Sequence, residues 1–415
     1  MDRSGTTLAA GVSGSRRLTR GQGTRMKGRP RILFLSHSAS RNGASLLLLQ
    51  FLQWLRGKVD WDITVLVAGR GPLVADFRSV GKTHVLRNTD SLLAGLPKGW
   101  RVALEPRLKA WYTKALLAGR RFDLIYANTV SAWPHVRALK GQAPALLWHV
   151  HELGYALSIE IPAQRARELF REATAFVAVS QPVRDTLTRD YDVPPQKVNL
   201  VHEFVPLPDL TSEQRATRGR RVHEALGWPP GTFVVGGCGS MGWRKGTDLF
   251  LQIAKRVAAA GGYDRVRFLW VGGSSGGKDT LEFDHDRRAL GLDGRCARVA
   301  AATDVLDYYC AMDVFALTSR EDPFPLVMLE AGANGVPVVC FAGSGGGPEF
   351  VESDSGLVAP CQDVAAFANH LCKLHDEPDL REALGARALS KVRANYSTEV
   401  QAPKLTQTIE RYLNE

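Results

Sequence analysis

Several familiar signatures are scarce in this chain of 415 residues. Its six cysteines all lie in the second half and none forms a CxxC pair, which argues against a disulfide framework or a zinc site. Several stand inside apolar runs, so we expect buried free thiols in a reducing compartment. No apolar run is long enough to span a bilayer, and the basic N-terminal stretch lacks the apolar segment of a secretory signal. The sequence therefore predicts a cytoplasmic location.

Common nucleotide and metal motifs are missing too. The chain has no GxxxxGK[ST] and no GxGxxG after its first strand, so a P-loop NTPase or a simple dehydrogenase fits poorly. An Asp-Trp-Asp run at 60–62 has the letters of DxD but lies at the start of a predicted strand, the wrong end for a site. His149 and His151 share a strand face beside Glu152 without a further ligand nearby. We therefore predict no metal site.

The formal net charge of +11 is unevenly placed. Residues 1–30 hold seven cations against one acid, which leaves about +5 for the remainder. We predict that residues 1–29, rich in Gly, Ser, Thr and Arg, are a disordered basic tail, with Met26 as an alternative start. Because the excess charge lies in this tail and no nucleic-acid module is recognisable, we expect no nucleic-acid partner.

Apolar runs alternate with helical patterns in two successive blocks. The runs that predict strands are 32–35, 62–67, 124–126, 145–150 and 176–179, then 233–235, 268–271, 314–317 and 336–341. Strands separated by helices form parallel sheets covered on both faces, and ligands bind at the carboxyl ends of such strands. The predicted fold class is α/β, with two Rossmann-like parallel-sheet domains facing a central cleft.

A polar stretch with several prolines separates the two blocks. We place an N-terminal domain at 30–208, a linker at 209–231 and a C-terminal domain at 232–396. Residues 397–415 read as a final helix that returns to the N-terminal domain.

The segment 319–331 contains the most specific candidate ligand-binding residues. A strand ends, a proline-rich turn with Asp322 follows, and a helix that contains Glu330 begins near Leu326. The free amides and positive dipole of a helix start suit a diphosphate, and two carboxylates on one ligand suit paired sugar hydroxyls. A capped helix start with a solvated glutamate explains the same pattern about equally well.

Three glycine-containing loops are further candidates. In 239–248 the cations Arg244 and Lys245 can neutralise a pyrophosphate, although a solvated surface turn is the commoner reading of such a pair. The glycines at 345–347 allow close backbone approach, or form a flexible turn with a surface acid. The loop around Gly43 can meet a phosphate, or serve as an ordinary strand–helix turn.

Taken in this order, these residues resemble glycosyltransferase family 4, retaining enzymes of the GT-B fold, over roughly 30–410. The strongest match is the family's Glu-x7-Glu motif, which here runs from Asp322 to Glu330. VHE at 150–152, RKG at 244–246 and GGGPEFV at 345–351 also fit the family.

The resemblance assigns roles residue by residue. It implies that Glu330 holds the donor's ribose, that Asp322 lies against the donor sugar's hydroxyls, and that His151 touches the sugar near the reacting carbon. It implies that Arg244 and Lys245 bind the diphosphate. Further donor-binding positions implied by the resemblance are Gly43, Gly273, Val305, Phe324, Leu326 and Val327.

Three positions depart from the family pattern. Asp322 is shorter than the usual glutamate, and Pro325 replaces the motif glycine without an N–H to donate. Ser240 stands where many members carry a phosphate-binding arginine.

The implied reaction is a hexosyl transfer with retention from a UDP-, GDP- or ADP-sugar to a glycan or lipid-linked acceptor, as in cell-surface polysaccharide or glycolipid synthesis. Cations and a helix start stabilise the departing diphosphate, so no cofactor or metal is expected beyond the donor co-substrate. The alternatives are a degenerate nucleotide-sugar-binding protein, or a GT-B-fold epimerase or phosphorylase.

Residues 98–121 are a candidate surface for the acceptor side. They carry seven cations against Glu105, with Trp100, Trp111 and Tyr112 interleaved. Basic residues with interfacial aromatics suit peripheral contact with the inner face of the cell membrane. A solvated basic helix with core aromatics is an equal alternative.

Overall fold

The computed structural model describes residues 28–86, 93–302 and 304–414. Most of the predicted basic tail at 1–29 therefore lies outside the described residues. Within them, the chain forms two parallel sheets with helices on both faces, which confirms the predicted fold class.

The first sheet has seven strands in the order β3-β2-β1-β4-β5-β6-β7. Its strands are β1 (Arg31–Ser36), β2 (Asp62–Val67), β3 (Lys82–Val85), β4 (Leu124–Asn128), β5 (Ala145–Val150), β6 (Ala175–Ala178) and β7 (Val198–Leu200). Its helices are α1 (Gly43–Leu55), α2 (Val74–Val80), α3 (Lys98–Leu116), α4 (Trp133–Ala138), α5 (Gly154–Glu160), α6 (Ala163–Glu172) and α7 (Gln181–Asp190), with 3₁₀ turns at Val130–Ala132 and Pro195–Lys197.

The second sheet has six strands in the order β10-β9-β8-β11-β12-β13. Its strands are β8 (Phe233–Cys238), β9 (Val266–Val271), β10 (Cys296–Val299), β11 (Val314–Leu317), β12 (Val338–Phe341) and β13 (Gly356–Ala359). The helices of this half are α8 (Ser212–Ala225), α9 (Thr247–Ala259), α10 (Lys278–Ala289), α11 (Leu306–Ala311), α12 (Leu326–Ala333), α13 (Gly347–Val351), α14 (Val364–Asp376), α15 (Pro378–Lys391) and α16 (Thr398–Asn414), with a 3₁₀ turn at Trp243–Lys245 and a π turn at Val392–Tyr396.

The central strands are apolar because both of their faces are covered. In β1, residues 32–36 are all buried, and β4 and β8 are buried along their whole length. The strand order reverses between β1 and β4 and again between β8 and β11, which opens a crevice at the carboxyl ends of these strands. Both predicted glycine loops that follow β1 and β8 lie at these switch points.

Four strands escaped the sequence prediction: β3, β7, β10 and β13. They are three or four residues long, and three of them include a charged or amide side chain, so their apolar signal is weak. The strand predicted at 176–179 lies one residue earlier, at Ala175–Ala178.

The polar stretch at 209–231 contains a helix. A capping box between Thr211 and Gln214 starts α8. Arg215 donates to Asn334 Oδ1 at 2.6 Å and Arg218 to Asp307 Oδ1 at 2.5 Å, so this helix packs on the second domain. This helix exposes most of its surface, so its sequence is polar. Its composition therefore predicts a linker.

The last helix, α16, lies against α1 and β5 of the first domain. Arg411 donates to the side-chain oxygen of Asn199, and the amide of Asn199 donates to the hydroxyl of Tyr412. One buried apolar cluster runs from the first sheet through the interface into the second domain, and another fills the outer face of the second sheet.

The cysteines are free thiols in the described structure. Cys238, Cys296 and Cys340 are buried, as expected, but the expectation is wrong for Cys361, which is exposed in the turn before α14. Among the described helices, none is both long and apolar enough to cross a membrane.

Candidate functional site

Two helix starts meet at the cleft between the domains. Gly43 opens α1 after the loop from β1, and Leu326 opens α12 after the loop from β11. A Cβ added to Gly43 would lie 3.8 Å from Leu326 Cδ1, so the two helix starts lie close together. Asn42 caps α1 by accepting from the Ser45 amide at 3.0 Å. Both positive helix ends therefore point to one place, which suits an anion.

The start of α12 determines which groups of the adjacent residues are available to a ligand. Pro325 caps the helix with φ −68° and ψ 123°, so the amides of Leu326 and Val327 are first-turn donors. The Phe324 side chain is buried and packs against His202 and Tyr396, with ring centroids 4.9 and 5.3 Å apart. Phe324 can therefore serve a ligand only through its backbone.

Both predicted phosphate cations pair with the first motif acid. Lys245 Nζ lies 2.5 Å from Asp322 Oδ2, and Arg244 Nη1 lies 3.5 Å from Oδ1 while donating to the Glu321 carbonyl at 2.8 Å. Ser319 donates to Asp322 Oδ2 at 2.9 Å. Burial raises the pKa of Asp322, but Lys245, Arg244 and Ser319 outweigh it and hold that pKa below its usual value.

The glycine-rich loop after β12 supports this aspartate. The Asp322 amide donates to the Ser344 carbonyl at 2.7 Å, and the Gly346 amide donates to the Asp322 carbonyl at 3.0 Å. Gly345 has φ +110°, and a Cβ there would lie 2.0 Å from the Asp322 carbonyl oxygen. Only glycine fits so close a backbone approach.

The second motif acid, Glu330, accepts a partly buried hydrogen bond. The hydroxyl of Tyr309 on α11 donates to Glu330 Oε2 at 2.7 Å. Burial raises the pKa of Glu330, and the Tyr309 bond offsets part of that rise. Val305 is the cap of α11 and accepts from the Tyr309 amide at 3.3 Å, so it lies one turn from this pair.

Gly273 lies in the neighbouring loop after β9. Its carbonyl accepts from the Ala301 amide at 3.1 Å, and a Cβ on it would lie 2.4 Å from Met241 Sδ. The loops after β8, β9 and β10 are thus packed together on the side of the cleft where Val305 and Glu330 lie. Ser240, in the loop after β8, is exposed.

His151 forms the floor of the cleft on the first domain. Its Nδ1 lies 2.8 Å from Glu203 Oε1, and its Nε2 lies 3.0 Å from Asn128 Oδ1. The side chains of His151 and Glu203 are only 5% and 8% exposed. Burial raises the pKa of Glu203, while the bond and charge of His151 lower it and leave a net rise.

A buried polar layer lies beneath His151. The His149 ring centroid is 4.1 Å from that of His151, and His149 Nδ1 lies 2.5 Å from the Tyr126 hydroxyl. Burial, followed by the charge of His151, lowers the pKa of His149 well below its usual value. Glu152 accepts from the amides of His151 and Val130, and burial raises its pKa to about 7.

Two carboxylates of the second domain reach helix starts of the first. Glu321 accepts from the amides of Tyr155 and Ala156 at 2.9 and 3.0 Å. Glu349 accepts from the Gln181 amide at 2.9 Å and lies 2.7 Å from His202 Nε2. These contacts hold the two halves together across the cleft.

Sequence reasoning missed Glu203, Tyr309, Glu321 and the role of Asn128. Glu203 follows β7, so the strand-end rule finds it once β7 is recognised. Nothing in the sequence points to Tyr309, because its partner lies 21 residues away on another helix.

Two further predictions concern a metal site and the aromatic side chains of α3. In the described part of the chain, no group of three or more His, Cys, Asp or Glu side chains is arranged to hold a metal ion. Trp100 and Trp111 on α3 are 65% and 63% exposed, whereas Tyr112 is partly buried. The reading of all three as core aromatics is therefore wrong for the two tryptophans.

The sequence of this chain is similar to those of known glycosyltransferases. Residues 41–207 match the model described as glycosyltransferase family 4, and residues 232–377 match that described as glycosyl transferases group 1. D-inositol 3-phosphate glycosyltransferase of Corynebacterium kroppenstedtii is 30% identical over 232 residues, which cover 54% of this chain and 50% of that relative. The enzyme of the same description from Corynebacterium efficiens is 28% identical over 317 residues, covering 69% of this chain and 71% of the relative. The chain thus spans about half the length of the first of these relatives.

Solved structures share the architecture at low identity. HepE of Anabaena, in complex with UDP and glucose, gives a TM-score of 0.73 at 20% identity and covers 91% of this chain and 99% of its own. Sucrose-phosphate synthase of Thermosynechococcus elongatus gives 0.73 at 21% identity, covering 92% and 99%. These likenesses carry the fold, which is GT-B. The two family models show that this chain belongs to glycosyltransferase family 4.

Proposed function

We propose that this protein is a retaining glycosyltransferase that moves a hexosyl group from a nucleotide diphosphate sugar to a glycan or lipid-linked acceptor. The observation that carries the proposal is the meeting of the α1 and α12 starts beside Lys245 and Glu330. Free amides, two helix dipoles and a cation around one space select a diphosphate. UDP-sugars are the first donors to try, because HepE, which shares the fold, was solved with UDP and glucose.

In the proposed pose, the donor extends across the floor of the cleft. The ribose hydroxyls bind Glu330, and the base lies toward the loops of Gly273 and Val305. The diphosphate lies beside the starts of α1 and α12, against their first-turn amides. This orientation places the sugar next to Asp322 and His151.

The proposed reaction needs no metal step. The bond between the anomeric carbon and the phosphate oxygen breaks, and the acceptor oxygen bonds to the same face of the sugar. The acceptor proton passes to the leaving phosphate oxygen. Lys245, Arg244 and the helix starts stabilise the charge that develops on the diphosphate, which is the interaction that differs most between substrate and transition state. A covalent sugar adduct on the enzyme would contradict this front-face route.

A donor screen tests the proposal. We expect one series among UDP-, GDP- and ADP-sugars to raise the melting temperature, and Glu330→Ala to abolish the rise. Glu382→Ala, an exposed glutamate on α15, is the matched control and should keep it. NMR of the product's anomeric configuration then tests retention, and an inverted product would overturn that part.

The alternatives give different outcomes in the same screen. A degenerate binder shifts with a donor but turns none over with any acceptor. A phosphorylase consumes inorganic phosphate and yields a sugar phosphate, and an epimerase converts the donor without an acceptor. No shift with any donor contradicts the proposed site itself.

A membrane-facing surface on α3 is a second part of the proposal. Trp100, Arg107, Trp111 and Lys114 are all exposed and, at seven, four and three residues apart, lie along one helix face. Exposed tryptophans between cations suit the interface of an anionic bilayer, which would place a lipid-linked acceptor near the cleft.

Co-sedimentation with vesicles tests this surface. We expect binding to vesicles with anionic lipid, weak binding to purely zwitterionic vesicles, and loss of binding in Trp100→Ala/Trp111→Ala. Trp243→Ala, which removes an exposed tryptophan elsewhere, should keep vesicle binding. Equal sedimentation of the wild type and the double variant would overturn the assignment.

A further inference from the structure

We infer that Glu203 is a positioning residue for His151. Together, Glu203 and Asn128 hold the imidazole as a hydrogen-bond donor in the floor of the cleft. The Glu203–His151 pair keeps one shared proton during sugar transfer. The inference rests on the proposed function for its consequence, but the network itself is a property of the first domain alone.

Asn128 fixes one side of the ring. Its Nδ2 donates to the Ala44 carbonyl at 3.0 Å, and its Oδ1 faces His151 Nε2 at 3.0 Å. If the Asn128 amide were flipped, its oxygen would face the Ala44 carbonyl oxygen. Both atoms are acceptors, so no proton would lie between them. Asn128 therefore presents an acceptor, and His151 Nε2 must carry a proton to meet it.

Glu203 fixes the other side. Its Oε1 lies 2.8 Å from His151 Nδ1, and both side chains are almost fully enclosed. A hydrogen bond at that distance needs a proton between the two atoms, either on the ring or on the carboxyl. The Glu203–His151 pair thus holds one proton in addition to the one on Nε2, and an isolated charge on either partner would be poorly solvated.

The groups around the pair favour this arrangement. His149, stacked on His151, has a buried Nε2 with no partner among the described residues, so a second cation there has no acceptor. Burial, followed by the charge of His151, lowers the pKa of His37 to about 4, which keeps that neighbour neutral as well. The titratable groups around the pair are His37, His149, Glu152, Lys245 and Asp322, and Tyr126 lies behind His149.

Loss of the shared proton has a defined consequence. The ring then keeps one proton for two acceptors, and one of the bonds to Glu203 or Asn128 must break. The imidazole is freed to turn, and the sugar loses a fixed neighbour at the reacting end of the donor. Turnover should therefore fall as pH rises through the titration of the pair, while donor binding at the diphosphate persists.

Glu203→Gln is the central test. The glutamine oxygen can still accept from Nδ1, but the protonated ring loses its counter-charge. We expect the basic limb of the kcat profile to move down by about one pH unit, with the donor-induced melting shift at pH 6 unchanged. A merely structural role would lower kcat equally at all pH values and leave the limb in place, which would overturn the inference.

NMR of the His151 ring nitrogens gives a readout that needs no turnover. We expect a proton on Nε2 in the wild type, held by the Asn128 oxygen, and a changed Nδ1 resonance in Glu203→Gln, because the carboxylate opposite Nδ1 is replaced. An unprotonated Nε2, or an Nδ1 resonance that does not change in Glu203→Gln, overturns the inference even if the enzyme is active. Absent transfer with the expected ring behaviour instead contradicts the proposed function and leaves the positioning role standing.

Discussion

Lys245 and Asp322 form an ion pair of 2.5 Å in the wall of the cleft, although one was expected to bind the donor's phosphate and the other its sugar. The pair links the loop after β8 to the loop after β11. A diphosphate that enters beside it offers Lys245 a second anion, so donor binding and the position of Asp322 are coupled. We expect the ammonium to bridge both when the donor is bound.

Asp322→Asn removes the charge of this pair while keeping its shape. Lys245 is then a nearly buried cation without its counter-charge, and breaking such a pair costs about 3–5 kcal/mol. We expect a lower melting temperature without ligand, a larger rise on adding UDP, and slower transfer. Asp248→Asn, which breaks the Arg320 pair outside the cleft, is the control and should leave the UDP-induced rise unchanged. A smaller UDP-induced rise in Asp322→Asn contradicts the coupling.

Tyr309→Phe removes the hydroxyl that donates to Glu330. One hydrogen bond to a charged group contributes about 1.5–3 kcal/mol, so the KM for the donor should rise by about 10-fold or more. Tyr308→Phe, on the same helix and half-buried, should leave KM unchanged. Equal KM values for both variants would show that Glu330 does not depend on Tyr309 for its orientation.

Glu152 should make stability depend on pH in a particular direction. Its pKa is about 7 when folded and near 4.5 when unfolded, so between these values the folded state holds more protons. Its contribution to the free energy of unfolding therefore falls as pH rises from 4.5 to 7, by about 2–4 kcal/mol, and is constant above.

Denaturant titrations of the wild type and Glu152→Gln at several pH values measure this contribution as a difference. The difference isolates Glu152 from the buried histidines, whose lowered pKa values act in the opposite direction on acidification. Glu172→Gln, with an exposed carboxyl, should show no such trend. A wild-type advantage that grows with pH would contradict the assignment.

Glu321 and Glu349 should hold the cleft closed. Glu321→Ala/Glu349→Ala removes acceptors from backbone amides of α5 and α7 that belong to the other domain. We expect a larger radius of gyration in solution scattering and a higher KM for the donor. Glu168→Ala on the outer surface should change neither value. An unchanged radius of gyration would mean that the apolar interface alone sets the closure.

Much of the architecture follows from local sequence signals. The apolar runs of β1, β4, β5 and β8 are long enough to predict, and the loops that follow them end at the cleft. Short strands such as β7 carry too few apolar residues for that signal. Because the sequence does not predict β7, it does not predict Glu203 as a residue at the end of a strand.

The contacts within the site could not be predicted. Lys245 and Asp322 are 77 residues apart, and His151 and Glu203 are 52 apart. Residue types indicate which groups can bind a phosphate or a hydroxyl, but only the packing of the strands decides which side chains pair before a ligand arrives. Asp322 is the clearest instance, because the sequence shows a free acid and the structure shows one held by three donors.

A crystal structure with bound UDP tests the central claim most directly. We predict that both phosphates lie beside the starts of α1 and α12, within hydrogen-bond distance of the Leu326 amide and Lys245 Nζ, and that the ribose contacts Glu330. Phosphates bound elsewhere, or a ribose remote from Glu330, would contradict the donor site and the proposed function built on it.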